Sequence, residues 1–462
     1  MATHTQTVQT PRIAHSRRIG ARVFVPIVWA AVALNGGVLV WLWLHDGGIT
    51  QVHSAADLWT SAGRITGLLG AYLALLQVLL LARLPPLERQ IGFDRLTVWH
   101  RRNGKLMLCL VLAHVVLITI GYAGNDRISV VKQYTSFLST YPGMITATIG
   151  TALMIAIVIS SLVIVRRRLP YESWYGLHVT AYAAIYLAYL HQIPSGNEFI
   201  SSKVQSDWWI ALYVATLVLL LGYRVVRPLS LARRHRLRVA SVRREAPDTV
   251  SIRIEGRKLD RLGAQGGQFM LWRFLTGRRW WQSHPFSLST APDGRSLRIT
   301  VKGVGRYSRE LASLKPGTRV LTEGPFGKFV ASARRHERVT LIAGGIGITP
   351  ARAILEDLPA APGRIALIHR VLRAEDCVLR DELELLARER GAQLHYVIGD
   401  HRDPANAQLL SPARLRELVP AIADGDVFVC GPPQMMDLIL TNLKAAGVSA
   451  AQIHSERFAL AS

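Results

Sequence analysis

Cysteine is scarce in this chain: three in 462 residues, Cys109, Cys377 and Cys430, none near another. That leaves no Cys-x-x-Cys metal pair and no evident disulfide framework. An iron–sulfur cluster normally needs four thiolates, so it is excluded within the chain. Acidic residues are also few, 31 against 55 lysines and arginines, for a formal charge of +24. Such an excess can mark a nucleic-acid binder. Here the basic residues lie beside apolar runs rather than along one helix face, so no nucleic acid is expected as a partner. No loop of the D-x-[DN]-x-[DN]-G type precedes the apolar half, so calcium control is not indicated.

Half of the residues are hydrophobic, and they are unevenly spread. Residues 23–226 hold most of the long apolar runs, whereas 230–462 reads as an ordinary α/β sequence. Runs near the ~20 residues that a bilayer core requires are 23–44, 65–84, 106–120, 143–165, 174–193 and 207–223. The twin arginine in SRRIGARVF precedes a long run without a clear cleavage site, so a first membrane anchor is expected rather than a removed leader. The N-terminal tail and segments 82–105, 166–168 and 224–238 carry nineteen Lys and Arg, and the alternate connections carry three, Arg127, Lys132 and Lys203. That asymmetry puts both termini and everything after 230 in the cytoplasm of a multi-pass cell-membrane protein.

WHRRNGKLMLCLVLAH (99–114) raises a sharper question, because it sends two imidazoles toward lipid. The third run holds His100 and His114, and the fifth holds His178 and His191. At ~1.5 Å per residue the two spacings rise about 21 and 20 Å. The helices run the same way, so His100 levels with His178, and His114 with His191. Two imidazoles facing at one depth are what a six-coordinate haem iron needs. Histidines that merely bond neighbouring helices would not be expected to match in depth twice. Fourteen steps end about 40° from the starting face, but thirteen end about 140° away. The fifth helix is therefore over- or underwound, as by a π-bulge, or its haems lie on different sides. His45 and His53 fall in a connection and read as solvated.

Six runs with these two histidine spacings resemble the NADPH oxidase and ferric reductase family. The resemblance spans about 20–462 and is to bacterial single-chain members with the dehydrogenase fused behind the membrane domain. It implies that His100, His114, His178 and His191 ligate two b-type haems.

From 236 to about 330 the chain alternates at period two between turns, as in TVSIRIEG and SLRITVKG, which suggests a small antiparallel barrel. HPFSLS (284–289) suits a flavin whose ring edge needs a hydrogen-bond donor. VKGVGRYSREL places a Gly-rich turn before a helix opening at Ser308, where free N–H groups would meet a pyrophosphate. The order HPFSLS, GRYS, GPFG (324–327) resembles the flavin domain of the ferredoxin–NADP reductase superfamily. It implies that Pro285, Phe286 and Ser287 hold the isoalloxazine of FAD, with Gly305 and Ser308 near the phosphates. His284 stands where soluble members carry an arginine, as it does in the transmembrane branch.

After 338 strands alternate with helices, which implies a parallel sheet. The glycines of GGIGITP (344–350) let the backbone approach a diphosphate at a helix start. GGIGITP followed by CGPPQMM is similar to that superfamily's nicotinamide-domain pair. The resemblance puts Gly344, Gly345, Gly347, Thr349 and Pro350 at the diphosphate, and Cys430, Gly431 and Pro432 beside the nicotinamide. Arg370 and Arg373, after the second strand, are where a 2′-phosphate would be read, so NADPH is favoured over NADH; a solvated basic loop is the plainer alternative. SERFALAS resembles the family's terminal aromatic segment, making Phe458 a candidate to stack on the flavin.

The expected architecture is a six-span helical bundle (1–229), an antiparallel barrel for FAD (230–334) and an α/β nucleotide domain (335–462). Two-electron hydride must be converted to one-electron transfer, which flavin can do. Bis-histidine iron leaves no open position, so the acceptor is reduced from outside it: dioxygen giving superoxide, or a ferric chelate. A partner protein or quinone is a third acceptor class, and a redox sensor or structural cytochrome is a non-enzymatic alternative that the flavin and nicotinamide motifs oppose. Arg64 has no acidic residue near it in its own span. It either snorkels to the interface or pairs with a haem propionate or an anionic acceptor. The oxidases carry an arginine in this region and tend to carry a histidine one turn beyond His114, where this chain has Ile118. Oligomeric state is not readable from the sequence.

Overall fold

The computed structural model describes residues 16–166, 168–169, 171–277, 280–400, 403–406 and 408–457. It divides into two compact units, Met1–Arg224 and Val225–Ser462.

The first unit is helical. Its main elements are α1 (Ser16–His45), α2 (Ala55–Leu80), α3 (Phe93–Asp126), α4 (Met144–Ser161), α5 (Tyr171–Val179), α6 (Ala181–Tyr189) and α7 (Lys203–Leu221). Many outward side chains are large and apolar, among them Ile27, Leu34, Val116, Ile145, Leu217 and Val218. A helix satisfies its own backbone bonds, so such a surface suits lipid rather than water. Among the described residues five helical segments are long and apolar enough to cross a membrane, not six.

The difference lies in the fifth expected span. The chain breaks at Thr180, whose N–H bonds to Leu177 O at 3.1 Å, a tightened i−3 turn, while its hydroxyl caps the same carbonyl at 2.7 Å. Two nine-residue helices, α5 and α6, therefore replace one long helix. This break falls between His178 and His191, where the thirteen-residue spacing requires a departure from a regular helix. A π-turn does occur, but at Gly222–Val226, after α7. The third span is longer than its apolar run and carries both His100 and His114 on the continuous α3.

Close approach of α2 to α3 depends on small residues. A Cβ on Gly63 would meet Ile118 at 2.7 Å, and one on Gly67 would meet the His114 ring at 2.5 Å. Gly70, one turn on, faces Val111. Small residues along one face let backbones approach where no hydrophobic driving force separates helix from lipid.

The second unit opens with β1 (Arg238–Ala246), β2 (Thr249–Glu255), β3 (Phe269–Phe274), β4 (His284–Ser287), β5 (Ser296–Lys302) and β6 (Val320–Phe326). These form two antiparallel three-stranded sheets, β1-β2-β5 and β4-β3-β6. The expected barrel is not closed. No continuous ladder joins the sheets among the described residues; isolated bridges link Arg238 with Arg319 and Leu288 with Ile299. Leu237, Ile252, Trp272, Leu288 and Ile299 fill the space between them.

Beyond the short helix α8 (Arg306–Glu310), a parallel sheet takes over: β7 (Val339–Gly344), β8 (Ile365–Val371), β9 (Gln393–Ile398), β10 (Asp426–Gly431) and β11 (Ile453–Arg457). Its order is β11-β10-β7-β8-β9. Helices α9 (Ile348–Asp357), α10 (Arg380–Arg390) and α11 (Pro433–Ala445) link the strands. β7 and β8 are buried throughout, as expected of strands covered on both faces.

Candidate functional site

Four histidines form two facing pairs in the first unit. The His100 and His178 rings have centroids 6.0 Å apart, and those of His114 and His191 6.3 Å apart. Two imidazoles bonded to one metal at about 2.0 Å put their ring centres roughly 6.3 Å apart, so each pair fits an iron between its members. Both rings on α3 are anchored from α2. His114 Nδ1 donates to Gly63 O at 2.8 Å, and His100 Nδ1 donates to Gln77 O at 3.2 Å. Fixing Nδ1 in this way leaves Nε2 as the unprotonated nitrogen, the tautomer a metal would need. Gln77 is itself held, its Oε1 accepting from Asn103 Nδ2 at 2.7 Å. On the other side Trp174 stacks on His178 at 5.0 Å.

A cavity of about 580 Å³ reaches His114 and His191 from the helix ends. That is ample for a cofactor-sized ligand. Arg64 lines it and corrects an expectation. Its Nε lies 2.7 Å and its NH2 2.6 Å from the carboxylate of Glu198, and NH2 also donates to Asp46 O at 3.0 Å. The acid absent from its own span comes from the short helix Asn197–Ile200. A propionate or bound anion is therefore not needed to complete this guanidinium.

In the second unit HPFS is strand β4, which pairs with β3 so that Pro285 faces Leu271 and Phe286 faces Met270. β4 is an edge strand, where proline is tolerated. Trp272 Nε1 donates to Phe286 O at 3.0 Å and holds the strand in place. Ser287 Oγ is buried without a hydrogen-bond partner. A buried hydroxyl left unpaired calls for a ligand, and FAD fits that requirement. His284 stacks on Tyr307 of the GRYS segment with centroids 3.8 Å apart. Burial pushes the Tyr307 phenol up to about 12. The turn at Gly305 differs from expectation. The helix begins at Arg306, has five residues, and the Gly305 N–H is already taken by Ser308 Oγ at 3.0 Å. Gly305 and Ser308 close a turn on themselves rather than presenting a free helix start.

In the parallel sheet the chain adds β8 and β9 on one side of β7 and then returns to lay β10 and β11 on the other, so the β7–β10 boundary is the switch point where open α/β sheets bind ligands. GGIG ends β7 and CGPP ends β10. A Cβ on Gly347 would strike Cys430 O at 2.4 Å, so only glycine allows this contact. Gly345, at φ +51°, has open space where a side chain would stand, as a nearby diphosphate requires. Thr349 Oγ1 donates to Ile346 O at 3.0 Å and firms the turn ahead of Pro350. Gly431 and Pro432 lead into α11 across from it. His369 Nε2, on β8, donates to Gly345 O at 3.3 Å, and burial pushes this imidazole down to about 4.

Cys430 is fully buried, burial raises its thiol, and its backbone carbonyl is what meets the glycine turn. Arg370 is buried, its guanidinium bonded to the carbonyls of Val371, Val397 (3.4 Å) and Gly399 (2.5 Å). It braces strand ends instead of facing a 2′-phosphate. Arg373 is exposed and pairs with Glu375 at 3.1 Å. Phe458 lies outside the described residues.

Sequence reasoning missed Glu198, Tyr307 and a four-residue network. Glu382 of α10 receives Arg298 of β5 through two 2.8 Å bonds, Arg352 of α9 at 3.1 Å and Arg243 of β1 at 2.7 Å. Burial raises this carboxyl, but the hydrogen bond and charge of Arg298, with the charges of Arg352 and Arg243, hold it at about 2. The scarcity of acid in the 192–206 connection was the one signal that could have flagged Glu198.

Comparison with known proteins gives three family matches. Residues 66–189 match the ferric reductase like transmembrane component, 234–330 an FAD-binding domain, and 341–440 an oxidoreductase NAD-binding domain. A flavohemoprotein of Vibrio cholerae serotype O1 is 33% identical over 182 residues, 37% of this chain and 45% of that protein. NADH-cytochrome b5 reductase 2 of Chaetomium globosum is 32% identical over 174 residues, 35% of this chain and 50% of that one. The chain spans about half the length of the curated relatives it matches. Among solved structures, the flavohem-like FAD/NAD-binding domain of nitric oxide dioxygenase from Vibrio cholerae O1 is 27% identical, with a TM-score of 0.41, over 49% of this chain and 99% of that one. In this order along one chain, the three family matches give the protein the architecture of the ferric reductase and NADPH oxidase family, a transmembrane component fused to a ferredoxin reductase-like FAD and NAD unit.

Proposed function

We propose that the chain is a transmembrane NAD(P)H oxidoreductase that carries electrons from cytoplasmic NAD(P)H to an acceptor across the membrane, with dioxygen giving superoxide as the leading acceptor. The observation that carries this reading is the two facing imidazole pairs, 6.0 and 6.3 Å between centroids, at two levels of one bundle. When bound, FAD supplies the conversion of hydride into single electrons and two b-type haems supply the one-electron relay.

The chain's own residues divide the work as follows. His100 with His178, and His114 with His191, would hold the two irons through Nε2 while Gln77 and Gly63 fix the α3 rings. Two histidines on each iron would leave no open position there, so the acceptor would be reduced without binding iron. Pro285, Phe286 and the unpaired hydroxyl of Ser287 would hold the flavin ring. The 344–350 turn and the 430–432 turn would grip the NAD(P)H across the switch point. Only Arg373 remains to favour a 2′-phosphate, and its neighbour Glu375 would suit a free ribose hydroxyl. Both coenzymes are therefore carried forward. The division into 1–229, 230–334 and 335–462, and the cytoplasmic placing of both termini, follow from the motifs and from the Lys and Arg asymmetry.

Ferric-chelate reduction is the second reading, favoured by Ile118, which fills the position where the oxidases tend to offer a histidine. Proteoliposomes supplied with NADPH separate the two. Cytochrome c reduction suppressed by superoxide dismutase supports the oxidase. No suppression, with NADPH consumption accelerated severalfold by ferric citrate, supports the reductase.

A further inference from the structure

Arg64 and Glu198 are the only Lys, Arg, Asp or Glu among the described residues lining the cavity at His114 and His191. They lie within 2.6 Å of each other, with side chains 13% and 3% exposed. The remaining polar lining is neutral and includes Gln51, Tyr134, Gln192 and Asn197. Two of these are already engaged: Tyr134 shares a 2.9 Å bond with Thr148, and Gln192 accepts from Trp209 at 2.9 Å and Tyr213 at 3.0 Å. Arg64 follows directly after Gly63, whose carbonyl holds the His114 ring. The charges of the cavity thus cancel one residue along the chain from the carbonyl that holds the proposed iron ligand.

We propose that Glu198 is the specificity-determining residue of this cavity: by cancelling Arg64 it admits a small uncharged acceptor and turns away anionic ferric chelates. The proposal rests on reading His114 and His191 as iron ligands. An unmatched guanidinium in a low-dielectric cavity would attract an anion strongly, and a paired one leaves little net field. The electron balance with a neutral acceptor is NAD(P)H plus two dioxygen giving NAD(P)⁺, one proton and two superoxide. The hydride supplies two electrons, one to each dioxygen, and its proton is released on the nucleotide side.

The test uses the purified full chain carrying its haems, with redox-inert gallium citrate as the anionic probe. The wild-type protein should show no saturable binding of the probe. Glu198→Gln should bind it at least about tenfold tighter, and the midpoint potential of the haem at His114 should rise, because an uncompensated positive charge now faces it. Arg64→Gln/Glu198→Gln restores neutrality and should return both readings to the wild-type values. Should Glu198→Gln fail to accumulate, Gln51→Arg adds an unmatched positive charge at an exposed lining position and should give the same two changes. The proposal is overturned if these variants keep two haems yet neither bind the probe nor raise the potential, or if the double variant fails to reverse them. A wild-type chain with fewer than two haems overturns the underlying ligand reading instead.

Discussion

His114 Nδ1 donates to the carbonyl of Gly63 at 2.8 Å, and one turn along the same helix Gly67 leaves just enough room for that imidazole. One helix thus orients the ring that another helix carries. The glycine spacing on α2 serves the orientation of His114 as well as helix packing.

Gly67→Leu should remove the haem at this level alone. Its side chain would occupy the space of the His114 ring, whereas His100 is held by Gln77, nearly three turns away along α2. The haem content should fall by about one per chain, as for His114→Leu or His191→Leu, while NADPH still reduces the flavin. Loss of both haems, or of neither, would count against the separate anchoring of the two levels.

Ser287→Ala separates ligand binding from folding. The hydroxyl has no partner within the protein, so its removal breaks no existing bond. The melting temperature without FAD should stay the same or rise slightly, while FAD affinity falls by about 1 kcal/mol, roughly fivefold. Calorimetric FAD titration with a parallel thermal melt gives both numbers. A variant that unfolds early yet binds FAD normally would contradict the assignment.

Arg370 and Arg373 should behave oppositely. Arg370→Ala removes the guanidinium that ties the carbonyls of Val371, Val397 and Gly399 together and should cost about 2–3 kcal/mol of stability, weakening NADPH and NADH alike. Arg373→Ala should leave stability unchanged, and any loss it causes should fall on NADPH. Steady-state KM values for both coenzymes, beside denaturant midpoints, test this. A selective NADPH loss in Arg370→Ala would restore the role first expected of it.

Much of this arrangement was legible in the sequence. Spacing alone paired His100 with His178 and His114 with His191, because helical rise converts residue counts into depth. HPFS and the two glycine turns could be read because each needs particular residue types in order. Three-dimensional closure was not legible. The break at Thr180 depends on a local hydroxyl bond that no apolar pattern announces. Arg64 and Glu198 stand 134 positions apart, so their pairing is invisible to any window. Arg370 has the residue type and position of a phosphate reader and fails only because its guanidinium turns inward.

Glu382 offers a pH signature. Its carboxyl titrates at about 2 when folded against 4.5 ordinarily, so the stability it contributes is present above pH 4.5 and is lost as pH falls toward about 2. With allowance for solvent screening, Glu382→Gln should lower stability near neutral pH by about 1–2 kcal/mol. The gap from wild type should close below pH 4.5. A gap that persists unchanged in acid would show that the residue acts through packing rather than charge.

The most direct test of the central claim is the haem content of the purified full-length chain, by pyridine haemochrome against protein concentration. Two b-type haems per chain, with the low-spin spectrum of bis-imidazole iron, is the expected result. One haem per chain, or none, would contradict the pairing of His100 with His178 and of His114 with His191 as axial ligands.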